Sequence, residues 1–97
     1  MYNSTHIPVA KAKKLVEKGA VLLDVRNPVA FRNGSLPGAV NINARTVSSL
    51  LKHPKNTKLI FFGDADDDGT IVTMINYATQ MGFMDVYTFG AKEHWSV

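Results

Sequence analysis

Ninety-seven residues make one domain with one modest core, since a chain of this length buries roughly 60–65% of the surface it exposes when unfolded. An apolar fraction of 45% against 20% charged residues is ordinary for a globular chain, and no stretch approaches the about 20 apolar residues of a membrane helix. Cysteine is absent, which excludes disulfides, thiolate metal sites and thiol nucleophiles.

Residues 1–6 lack the layout of a signal peptide, so the cytoplasm is the expected location. Pro8 to Lys18 reads as a helix, with Val9, Ala12, Leu15 and Val16 on one face and Gly19 as its stop. Ala20 to Val25 is a short apolar run holding Asp24, the pattern of a strand covered on both faces. Asn27-Pro28 opens a helical turn through Phe31, and Asn33-Gly34 and Pro37-Gly38 are turn signals. A strand is expected over 39–42, a short helix over 46–51 and the most apolar strand over 58–62. From Thr70 to Met81, Ile71, Met74, Ile75 and Ala78 recur at helical spacing, and Gly82 ends the segment. A last strand over 85–89 precedes a tail whose Trp95 is expected to pack on the sheet. Alternating helices and short strands predict a parallel α/β sheet with helices on both faces.

The net charge of +3 conceals a polarised distribution. Asp64, Asp66, Asp67 and Asp68 are half of all the acids, and outside that loop eleven Lys and Arg face four carboxylates. Lys11, Lys13, Lys14 and Lys18 form one basic group and Lys52, Lys55 and Lys58 another. Such groups are solvated helix faces or a patch for an acidic partner. Nucleic acid is disfavoured, because no aromatic interleaves the lysines. His6, His53 and His94 are far apart in sequence and read as surface residues.

The acidic loop, Gly63-Asp64-Ala65-Asp66-Asp67-Asp68-Gly69-Thr70, joins a strand to a helix. A loop feeding a helix N-terminus is a natural anion cradle, yet this one is filled with carboxylates. The simplest reading is structural: Asp68 or Asp67 caps the helix and the other acids favour its positive end. A second reading is cation binding by Asp64, Asp66 and Asp68, which match the opening half of a calcium loop. The bidentate Glu required at position 12 is replaced by Ile75. A third is metal-assisted phosphoester chemistry, because residues 66–71 match the start of the haloacid-dehalogenase-type motif. There the first Asp follows its strand directly, whereas residues 63–65 intervene here.

Leu22-Leu23-Asp24-Val25-Arg26-Asn27-Pro28, then Phe31 and the run from Gly34 to Ile42, closely resembles the signature of the rhodanese-like family. That pattern is roughly Leu-Ile-Asp-Val-Arg, a Pro, an aromatic, then Gly-His-Ile-Pro-Gly-Ala. Gly82-Phe83, Val86-Tyr87, Gly90-Ala91 and Trp95 agree as well, so the likeness spans nearly the whole chain. The resemblance implies one three-layer α/β domain around a mainly parallel five-stranded sheet, with Asp24, Arg26, Pro37 and Gly38 in structural roles.

Active members of that family carry sulfur as a persulfide on a cysteine that opens the loop after a central strand. Counting back from Gly82 places this position at Ala65, and counting forward from the strand places it at Gly63 or Asp64. The Arg-Ser pair often found near the loop's end falls on Gly69, Thr70 or Ile71. The usual acid before the aromatic is Ala30, which leaves Arg26 without that partner, and the usual histidine is Ser35. Neither Asp nor Ala supplies sulfur chemistry. A dianionic donor would also be repelled, by roughly 0.7 kcal/mol per pair of unit charges at about 6 Å in water. The expectation is a binding or regulatory module without catalytic cysteine or cofactor, whose partner is another protein. The alternatives are the phosphoester enzyme and a sulfurtransferase-family protein with its active cysteine substituted.

Overall fold

The computed structural model of the protein describes residues 5–96, so the reading of residues 1–4 lies outside it. In chain order the elements are α1 (Val9–Glu17), β1 (Val21–Asp24), α2 (Pro28–Asn33), β2 (Val40–Asn41), a 3-10 helix (Val47–Lys52), β3 (Leu59–Gly63), α3 (Gly69–Gln80), β4 (Val86–Ala91) and a final 3-10 helix (Lys92–Ser96). The strands form an all-parallel sheet in the order β2-β1-β3-β4. Five strands were expected, and the described residues contain four. On the outer side of β4 a single parallel bridge joins His6 to Thr88, with the Ile7 N–H donating to the Thr88 carbonyl at 2.9 Å. Pairing cannot continue past Ile7, because Pro8 has no N–H and leads directly into α1.

Both faces of the sheet are covered, as the short apolar strands require. β3 is buried along its whole length and divides its side chains between two cores. Leu59 and Phe61 pack with Ile71, Met74 and Ala78 of α3 and with Leu50. Ile60 and Phe62 pack with Ala12 of α1, Leu36 and Phe89. Trp95 holds the final 3-10 helix against the second core, its ring centroid 5.4 Å from that of Phe89. Among the described residues no helix is long and apolar enough to cross a membrane.

The short helix expected over 46–51 is present as a 3-10 helix, and one element, β2, is shorter than expected. The Asn43 side chain accepts from the N–H groups of Arg45 and Thr46 just before the 3-10 helix, a local turn that sets its start. β2 keeps two paired residues, and its Val40 is about half exposed. Helix α3 ends as its sequence signals. Gly82 stands at φ +103°, and the N–H groups of Gly82 and Phe83 return to the carbonyls of Thr79 and Ala78.

Candidate functional site

Because all strands are parallel, the loops that follow them share one edge of the sheet, where open α/β domains place their ligand sites. The acidic loop lies there, between the C-terminal end of β3 and the start of α3. Asp68 is the N-cap of α3: its Oδ1 accepts the Thr70 N–H at 2.9 Å. Its Oδ2 accepts the Asp64 N–H at a long 3.4 Å. The same carboxylate crowds the end of β3, since a Cβ built on Gly63 would meet Asp68 Oδ2 at 2.6 Å. The cradle is therefore occupied from within by the chain's own anion.

The remaining acids turn to different partners. Asp66 Oδ1 accepts the Ala91 N–H at 3.0 Å and pairs with His94 Nε2 at 2.6 Å, which ties the loop to the final 3-10 helix. The Ala91 N–H and His94 hold its carboxyl below the usual carboxylate range. This approach depends on Gly90, which stands at φ +88° and whose added Cβ would collide with Asp66 Oδ1. Asp64 Oδ1 lies 4.0 Å from Arg26 Nη1. Asp67, Ala65, Gly69 and Thr70 are exposed. Asp64, Asp66 and Asp68 thus face three different sets of partners, and among the described residues no three His, Cys, Asp or Glu side chains converge as metal ligands.

Beneath the loop lies a buried charged pair. Arg26 does have a carboxylate, two residues away: Asp24, whose side chain is fully buried. Asp24 accepts from the Arg26 backbone N–H at 2.9 Å, from Nε at 3.0 Å and from Nη2 at 2.8 Å. Ser35 donates its hydroxyl to the same carboxylate at 2.7 Å, and Arg26 Nη2 also donates to the Gly34 carbonyl at 2.6 Å. Burial pushes the Asp24 carboxyl up, but these hydrogen bonds and the guanidinium charge outweigh it and leave the group below its usual range. Pro37 and Gly38 form the turn into β2. Asn41 locks that strand to β1, donating through Nδ2 to the carbonyls of Asp24 and Arg26, both at 2.9 Å.

Sequence reasoning missed the role of His94 and His6. They come from opposite ends of the chain, and both line one cavity with Asp66. Nothing local in the sequence signals that meeting, which follows from α1 and the final 3-10 helix packing on the same face of β4.

An open parallel α/β domain with a strand-to-helix loop at the C-terminal edge, braced by an Asp-x-Arg pair, defines the class. A family model described as "Rhodanese-like domain" matches residues 3–95, and the chain belongs to that family. It is 30% identical over 94 residues to the thiosulfate sulfurtransferase GlpE of Pseudomonas syringae pv. syringae, covering 92% of this chain and 84% of that protein. Its fold is similar to the human single-domain sulfurtransferase TSTD1, with a TM-score of 0.76, 21% identity and 95% of each chain covered. It is similar also to the BH2092 protein of Bacillus halodurans, with a TM-score of 0.81, 19% identity, and 96% and 72% coverage. This chain contains no cysteine, so the persulfide site of active members is absent.

Proposed function

We propose that this domain is non-catalytic and serves as a binding or regulatory module for another protein. The observation that carries the reading is the occupied cradle. The space a side chain at the end of β3 would enter holds the Asp68 carboxylate, itself engaged by the Thr70 N–H. An incoming thiosulfate would have to displace that carboxylate and would find no thiolate to accept its sulfur. The phosphoester alternative draws no support from the geometry, because the three candidate carboxylates serve a helix cap, a histidine and an arginine.

Two assays at high protein concentration test the proposal. Thiocyanate formation from thiosulfate and cyanide, and hydrolysis of p-nitrophenyl phosphate with Mg²⁺, should both stay at the no-protein blank. Turnover in either would overturn the non-catalytic reading. The binding role predicts that the purified chain forms a complex of fixed stoichiometry with a protein of its own host. A systematic reciprocal capture that returns none would count against it.

A further inference from the structure

Beside the filled cradle lies a cavity of about 540 Å³, lined by segments near both ends of the chain. It lies within the size range of small-molecule sites. Its floor and wall are apolar: Ile7 and Phe89 are buried at the base, with Val9 and Ala10 beside them. Lys13 of α1, His94 of the final 3-10 helix and His6, which precedes α1, stand around that floor. Lys13 is held in place, its Nζ 5.3 Å from the centroid of the Trp95 ring. Among the described residues the one acid in the wall is Asp66, which is committed to His94 at 2.6 Å and to the Ala91 N–H at 3.0 Å.

We propose that this cavity binds an organic carboxylate with a small apolar body, the carboxylate beside Lys13 and the body over Ile7 and Phe89. A cation is the wrong occupant, since Lys13 would repel it and, among the described residues, no group of three His or acidic side chains could hold a metal. Inorganic phosphate would leave the apolar floor uncovered. A carboxylate of this kind exists as a free acid or at the C-terminus of a peptide, and the chemistry of recognition is shared. The site stands whether or not the domain has a protein partner.

The test is a titration of the full chain followed by backbone amide shifts, with benzoate, benzyl alcohol and an acetylated dipeptide ending in Phe as probes. Benzoate should saturate with a dissociation constant of about 1–10 mM, the range open to a ligand of its size. The shifts should map to residues 6, 7, 9, 10, 13, 89 and 94. Benzyl alcohol should bind more weakly. Lys13→Gln should weaken benzoate about fivefold, as loss of a charge-assisted contact would. Lys11→Gln removes the same charge from an exposed position on the same helix and should leave binding unchanged. Tighter binding of the dipeptide than of benzoate would assign the source to a peptide terminus, and the reverse to a free acid. The proposal is overturned by shifts that map elsewhere, by equal affinity for benzyl alcohol, by equal effects of the two lysine variants, or by failure to saturate. A thermal melt of each variant guards against misfolding, and His94→Gln provides a second variant in which binding should also fall.

Discussion

Replacing Asp24 with Ala should be the most damaging change available at this edge of the sheet. The carboxylate is completely buried and receives four hydrogen bonds from Arg26 and Ser35 side chains at 2.7–3.2 Å, plus the Arg26 N–H. Its removal leaves a guanidinium that is only 9% exposed facing an empty space. Breaking a buried pair from one side costs about 3–5 kcal/mol. Arg26 keeps the Gly34 carbonyl at 2.6 Å and has Asp64 4.0 Å away. The lower end, about 3 kcal/mol, therefore fits best. Against a total stability of about 5–10 kcal/mol for a domain of this size that is a large fraction, and the melting temperature should fall by about 12–24 °C. Urea and thermal unfolding followed by circular dichroism would measure it. Asp24→Asn keeps the shape and one acceptor and should cost less. Acid pH adds a second readout. The folded carboxyl lies below its ordinary value, so its stabilising contribution is complete above the unfolded value of about 3.9. The contribution is lost as pH falls through the folded value. The Asn variant should lack that acid-sensitive component. A loss below about 1 kcal/mol in Asp24→Ala would refute the reasoning, because it would mean the pair is not desolvated in solution.

Asp68→Ala should lower the unfolding free energy by about 0.5–2 kcal/mol, and Asp68→Asn should restore most of it because Asn caps equally well; equal losses in both would point to charge rather than capping. Asp67→Ala, at an exposed residue without a cap role, should be neutral in the same denaturation assay. Gly90→Ala should destabilise by at least about 1–2 kcal/mol through its positive φ alone, with the Asp66 collision adding to it. The double variant Gly90→Ala, Asp66→Ala should recover part of that loss in a thermal melt. Addition of Ca²⁺ or Mg²⁺ should leave the melting temperature unchanged; a saturable increase that Asp64→Ala abolishes would restore the loop as a metal site.

What the sequence made legible is what depends on near neighbours. The alternation of elements and the cap at Asp68 follow from residue spacing within one turn or one strand, and both appear in the structure. The pairing of Arg26 was equally local, two residues from Asp24, yet the expectation of an acid at position 30 obscured it. In an extended chain, residues two apart lie on the same face. The Arg26 side chain can therefore fold back onto Asp24 once the chain leaves the sheet. Among the described residues the place of a fifth strand is taken by the His6–Thr88 bridge, and Pro8, whose position next to Ile7 was readable, stops that pairing on its C-terminal side. The Asp66–His94 tie could not be read at all. It requires the register shift in the β3–β4 pairing, where Phe61 faces Thr88 and Phe62 already faces Gly90. Phe89 is the extra residue of β4 at this irregularity, as in a β-bulge. Gly90 then admits the Asp66 carboxylate to the Ala91 N–H. Four carboxylates that look like one acidic patch in the sequence are therefore three separate devices in space plus one free charge. The electrostatic barrier to anions at this edge is accordingly weaker than the sequence implies, and the proposal of a non-catalytic domain rests on the missing thiol and the Asp68 carboxylate in the cradle.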